Sequence, residues 1–512
     1  MTATEAKMKR LVPGLILGVF LLYVAAALVA GASARDGFNF TLFGRLPVLL
    51  NGRVQPIDSV ARIGLLQIRG TVTVPPEHGG GWRFWNRAPA LGATEWLAEL
   101  LMTPDAADTR KIFPIQDPTL LRTLHLTAAA GSAPTYVAFK DLQPSLEILG
   151  QQVARISKSK NPNRAAWERE CLTLRNALVI YERLKNSLQP NSFLQREAKG
   201  APVRYDFAAL AAQYRVDLRS GVEAAIRREH GDSKQLDAAT QDSMRAFAKP
   251  FASVSRVGLL SVIPPLDPAS ARNRWHNMGA VIVDSARSGT LPLSVAYYAA
   301  MSSAFVQGQP VAFNNQVWNY LGWLKANGLA PEVARARHEF LFSRLQPFVR
   351  AAGIYLFAFV LLCASWIRRS PLLYRSSIAL VALAFVLHTG GLLFDMMLEG
   401  RPPLTNLYSM FVFAGWALVV AGGLLERTRR TGVRIAAATM SAFMAIALAH
   451  SLAPGGAVQL LRAALGPSYW LAVLATFGLL CVATGATLPG VDLPLRGRVR
   501  HLRKDTAVAV QR

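Results

Sequence analysis

Apolar residues run in six blocks along the chain, at about 11–33, 351–367, 376–397, 405–425, 435–453 and 468–488. Each reaches or approaches the roughly 20 residues that a helix needs to cross a bilayer. A polar stretch, about 35–350, separates the first block from the second, and the last five follow one another with short loops. This spacing predicts a mainly α, polytopic membrane protein. It would have a single N-terminal anchor helix, a large α-rich domain with a minor β portion, and a five-helix C-terminal membrane domain. The expected divisions are 1–34, 35–350, 351–490 and a basic tail at 491–512. A cleaved leader is the alternative for the first block, with Lys7, Lys9 and Arg10 before it and Ala30-Gly31-Ala32-Ser33-Ala34 after it. Its apolar run exceeds the roughly 7–15 residues of such a leader, which favours an uncleaved anchor.

Within the polar stretch the period changes. Residues 42–75 read as short strands and turns, with Asn51-Gly52 between apolar runs as a hairpin signal. Residues 76–90, rich in Gly, Pro and Trp, read as loop. From 140 onward the period is helical: Leu142, Leu146, Leu149, Val153 and Ile156, then Leu174, Leu178, Tyr181, Leu184 and Leu188. The stretch Lys158 to Asn163 separates those two helices. Residues 205–230 read as amphipathic, Pro264, Pro265 and Pro268 mark a loop, and helix resumes to about 350.

Composition agrees with the membrane reading. Only 17% of the 512 residues are charged, against roughly 25% in ordinary soluble domains, and 52% are hydrophobic. Such apolar content excludes a disordered chain. Cys171, Cys363 and Cys481 are too few and too far apart for a disulfide scaffold. The net charge of +25 is unevenly placed. Lys7, Lys9 and Arg10; Arg368, Arg369 and Arg375; Arg427, Arg429, Arg430 and Arg434; and the tail from Arg496 to Arg512 fall in alternate connections, whereas the intervening short loops hold only Arg401 and Arg462. Cytoplasmic loops carry such an excess. The pattern places both termini in the cytoplasm and the large domain in the periplasm, across a cell inner membrane. The outer domain stays net basic, as a solvated surface or as a surface for an acidic partner. No nucleic-acid recognition motif is present, and nucleic acid is not an expected partner.

There is no Cys-x-x-Cys-His, Walker, zinc or Gly-x-Ser-x-Gly signature. The lone Cys171 reads as a packing residue. An ionisable side chain inside a spanning helix marks a functional candidate. His388 is such a residue, followed by Thr389-Gly390-Gly391, where glycines admit a flat ligand or a neighbouring helix. It reads either as an iron ligand or as a histidine hydrogen-bonded between helices. His450, at the outer end of a later helix, is a weaker candidate ligand. Arg401, in the loop between two spans, can pair bidentately with a carboxylate or propionate, unless Asp395 and Glu399 neutralise it. Thr405 or Asn406 can cap the following helix.

At this loop a resemblance emerges. His388-Thr389-Gly390, then Gly400-Arg401-Pro402-Pro403-Leu404-Thr405-Asn406-Leu407-Tyr408-Ser409 and Trp416, resemble the CcsA/ResC-type cytochrome c assembly domain. That domain belongs to the system II synthases, in the heme-handling superfamily that includes the CcmC and CcmF proteins. Gly44-Arg45-Leu46-Pro47-Val48, Asn51 to Ser59, Trp96 to Leu101 and Leu345-Gln346-Pro347-Phe348 resemble the variant with an N-terminal anchor and periplasmic domain. The resemblance implies cytochrome c biogenesis: non-covalent heme b, held by histidines and presented to the thiols of an apocytochrome, with other maturation subunits as partners. It makes His388, Arg401 and His450 the expected cofactor contacts, with His388 as the iron ligand. Two features depart from the family. Leu474 stands where the family has a heme-ligand histidine, and the tryptophan-rich loop Trp-Gly-x-x-Trp-x-Trp-Asp is missing, so this chain is expected to supply only part of a synthase. The alternative is a membrane-anchored docking subunit that recruits apocytochrome or a synthase partner without binding heme. A small-molecule transporter is the third reading; the five-helix block shows no internal symmetry in its favour.

Overall fold

A computed structural model describes residues 3–29, 34–75, 90–127, 134–159, 164–190, 248, 251–265, 274–288, 292–399, 407–429 and 432–452. The expected loop at 76–89, the amphipathic stretch at 205–230, the sixth apolar block and the basic tail lie outside them. The chain is mostly helical with a few short two-stranded sheets. It divides into two compact units, Gly31–Phe340 and a second made of Met1–Ala30 with Leu341–Arg512.

Helix α1 (Ala3–Val29) carries the first apolar block. The Gly31–Phe340 unit, called the outer unit after its expected place, starts with a short pair of strands and one helical turn (Phe40–Phe43) and then forms the expected hairpin, β1 (Pro47–Leu50) against antiparallel β2 (Arg53–Pro56), with Leu50 paired to Arg53. The two residues between them, Asn51 and Gly52, have φ of +51° and +76°. Two consecutive positive φ values match the right-handed twist of a two-residue hairpin, and Asn-Gly adopts them at least cost. Where strands and turns were expected beyond Val54, the chain instead turns into helix α2 (Ile57–Arg69). Pro56, extended, starts it, and Gly70 at φ +81° ends it. Its face of Ile57, Val60, Ala61, Leu65 and Ile68 is buried. This 3.6-residue period overrides the strand pattern of the preceding hairpin.

Helix α3 (Ala93–Met102) carries the Trp96 to Leu101 string, and Trp96, Leu97, Leu100 and Leu101 all lie in the core. A second hairpin follows, β3 (Lys111–Ile115) with β4 (Thr135–Ala138). The helices expected from 140 onward are α4 (Leu146–Lys158) and α5 (Ala166–Lys185); their predicted apolar positions are buried or half-buried, and Cys171 is buried on α5. Helices α6 (Met278–Ser288), α7 (Leu293–Val306), α8 (Pro310–Leu324) and α9 (Ala330–Leu345) complete the unit, whose boundary falls within α9.

In the other unit, α10 (Pro347–Ile367), α11 (Pro371–Glu399), α12 (Leu407–Arg429) and α13 (Val433–Leu452) join α1. Gln346 in the left-handed region and Pro347 at the first helical position separate α9 from α10. Four helical stretches are long and apolar enough to cross a membrane: one within Pro310–Ile367, then Pro371–Met397, Tyr408–Arg427 and Val433–His450. Only 28–44% of each apolar window is buried, so most of these side chains face outward, as lipid contact requires. On the inward side, Gly415 and Gly422 of α12 meet Ala445, Ala442 and Ala438 of α13, a seam of small residues that lets backbones approach.

Candidate functional site

His388 lies near the middle of α11 and is completely buried. Its Nε2 is 3.1 Å from the carbonyl oxygen of Val412 on α12. A carbonyl can only accept, so Nε2 carries the hydrogen and donates it. Nδ1 is then the lone-pair nitrogen, and it is buried with no hydrogen-bond partner. The rings of Phe348 and Tyr355, both on α10, flank the imidazole edge-on at 5.8 and 6.0 Å between centroids. The tyrosine hydroxyl is likewise buried without a partner. The hydrogen bond between helices, weighed above as the alternative to ligation, is thus present, but it accounts for one ring nitrogen only.

The neighbours of His388 hold it in place. Thr389 accepts a hydrogen bond at 2.9 Å from the indole nitrogen of Trp416 and donates one to the carbonyl of Phe385. Trp416 stacks on Phe385 and Phe413. Two pieces of the quoted string, His388-Thr389 and Trp416, therefore meet across α11 and α12. Of the two glycines, Gly391 faces α10: a Cβ there would come within 2.8 Å of the Phe348 ring. Gly390 faces open space. Of the two roles expected for these glycines, the close approach of a neighbouring helix is seen at Gly391.

His450, near the end of α13, is half-buried, and its Nδ1 donates to the Ile446 carbonyl one turn earlier, at 3.1 Å. The lone pair is therefore on Nε2. Its ring meets Tyr408, Tyr408 meets Phe348, and Phe348 meets His388, so a row of aromatic rings links the two histidines. Arg401, Thr405 and Asn406 lie outside the described residues, as does the side chain of Glu399.

An imidazole that donates one N–H to a backbone carbonyl and keeps its other nitrogen bare has the donor chemistry of a metal ligand. Among the described residues no three His, Cys, Asp or Glu side chains converge on a metal-sized site. Heme needs no such cage, because the porphyrin supplies four nitrogens and the protein one or two. His388 thus supplies one bare ring nitrogen, a single donor of the type an axial ligand provides.

The outer unit contains a buried ionic centre that the sequence reading did not single out. Asp108 accepts from Lys185 Nζ at 2.5 Å and from the Tyr181 hydroxyl at 2.8 Å. Burial pushes the Asp108 carboxyl upward, against the pull of these two donors. Tyr181 and Lys185 continue the apolar face of Leu174 and Leu178 on α5; a lysine in line with core positions was the available signal. In the same unit, Arg53 of the hairpin grips Glu339 of α9 through both terminal guanidinium nitrogens, at 3.0 and 3.1 Å. Asp58 accepts from Arg62 and Thr94, each at 2.7 Å. The string from Asn51 to Ser59 thus acts in folding the outer unit. No family model matches the chain, and no curated protein matches it.

Proposed function

We propose that this protein is a heme-handling inner-membrane protein of cytochrome c assembly. In this reading the chain makes six crossings, with both termini cytoplasmic and the outer unit in the periplasm. One observation carries it: the buried, lone-pair Nδ1 of His388, held in place by the Nε2–H bond to Val412. The resemblance of the His388 and Arg401 segments to the CcsA/ResC-type domain supports it. His388 would ligate the iron, His450 would offer Nε2 on the same row of rings, and Arg401 would pair with a propionate. Bound heme would supply the vinyl groups to which apocytochrome thiols add. The chain's own contribution is to fix the imidazole, exclude water and hold the ring still.

The test is the heme spectrum of the full chain, purified from a strain that makes c-type cytochromes. A Soret band is expected in the wild type and its loss in His388→Ala, with His450→Ala giving a smaller shift. Unchanged heme in His388→Ala rejects the ligand assignment. A colourless wild type favours the second reading, a docking subunit for apocytochrome. The observation behind that reading is the exposed Val311 and Trp318 on one face of α8, at 71% and 67% exposure.

A further inference from the structure

Arg45, in the Gly44-Arg45-Leu46-Pro47-Val48 string, has no role in the centres described above. Its guanidinium lies over the ring of Phe340 on α9, 5.2 Å from the centroid. That contact covers one face of the cation. The Nε atom is buried and has no hydrogen-bond acceptor. Arg337, exposed, precedes Phe340 by one helical turn, so the two share a face of α9. The Arg337 cation acts on Arg45: burial, and then repulsion by Arg337, hold the Arg45 group below the ordinary arginine range. The acid next to Phe340 is Glu339, and Arg53 already holds it with both nitrogens.

An oxyanion bridging the two would give the buried Arg45 N–H its acceptor and offset the repulsion between the cations. We propose that Arg45 and Arg337 form an oxyanion site that takes a phosphate group, and that the phosphate belongs to an anionic phospholipid headgroup. Guanidinium forks match phosphate oxygens geometrically, and the stacked Phe340 ring fixes the plane of one fork. Phospholipid is favoured as the source by chain position. Phe340 is seven residues before Pro347, the first residue of apolar helix α10, or at most ~25 Å of chain. The headgroup zone is within that reach. This inference stands apart from the heme reading and does not need it.

Native mass spectrometry of the full chain in detergent tests it, with short-chain phosphatidylglycerol as one probe, phosphatidylcholine as a second and inorganic phosphate as a third. For the first bound phosphatidylglycerol, Arg337→Gln is expected to weaken the dissociation constant about tenfold, the loss of one charge-assisted contact. Arg45→Gln should do the same, and Arg45→Lys should recover part of the affinity. Arg337 is exposed, so its variant should fold even if Arg45→Gln does not. Phosphatidylcholine and inorganic phosphate should bind more weakly than phosphatidylglycerol and respond less to either variant. Equal, Arg337-dependent binding of inorganic phosphate would support the oxyanion site and overturn phospholipid as its source. Phosphatidylglycerol affinity unchanged in both glutamine variants would overturn the site. Heme content should be the same in Arg337→Gln as in the wild type, which separates this outcome from failure of the heme reading.

Discussion

At the scale of single residues, the most telling atoms are buried polar ones with no partner, because each costs free energy that something must offset. His388 Nδ1 and Arg45 Nε are two such atoms; Glu182 Oε1 on α5 is a third. Burial raises the Glu182 carboxyl to about 7, Lys185 opposes the rise and Asp108 adds to it. The folded chain therefore keeps a proton that the unfolded chain releases above about pH 4.5. Stability from this group is full below that pH and is lost as pH rises through about 7. Glu182→Gln fixes the neutral form. It should match the wild type near pH 4.5 and exceed it at pH 8 by roughly 1–3 kcal/mol. Denaturation of the purified full chain at the two pH values measures this, and an equal gap at both would show that Glu182 does not titrate in this range.

Among elements, the β1–β2 hairpin depends most on local sequence. Gly52 sits at φ +76° with open space around its Cα, so any cost of substitution comes from backbone conformation and not from crowding. Gly52→Val should lower stability by about 1–2 kcal/mol, whereas Gly52→Asn should cost only a few tenths. Thermal denaturation of the two variants checks the difference; equal losses would mean that the turn does not limit stability. This hairpin was legible because its information lies in two adjacent residues. Helix α2 was equally encoded, by Ile57, Val60, Ala61, Leu65 and Ile68, but those residues directly follow a strand, and the strand pattern masked them. Other features could not be read locally. Arg53 meets Glu339 across 286 positions. His388 was recognisable as an intramembrane histidine, but its acceptor is the backbone carbonyl of Val412, a group that every residue possesses. Sequence therefore identifies the candidate ligand, and only packing determines which of its nitrogens is free.

For the whole molecule, the orientation expected from the basic loops can be tested at one connection. Helix α10 ends at Ile367, which is 84% exposed, and exposed Arg368 and Arg369 follow before α11 begins at Pro371. An apolar tip followed by two arginines is what a lipid-to-cytoplasm transition looks like. In the Gly31–Phe340 unit, Ser157 at the end of α4 is exposed. If basic residues fix the orientation, these two points lie on opposite sides of the membrane. With Cys171, Cys363 and Cys481 replaced by alanine, Ser157→Cys should react with a membrane-impermeant maleimide in intact spheroplasts, and Ser370→Cys only after permeabilisation. The reverse pattern would invert the protein and place the outer unit in the cytoplasm, away from any periplasmic apocytochrome. Labelling of both sites from the same side would mean that α10 does not cross. Heme delivery to the periplasmic face needs the first result, because it puts the Gly31–Phe340 unit on the side where apocytochrome would be met.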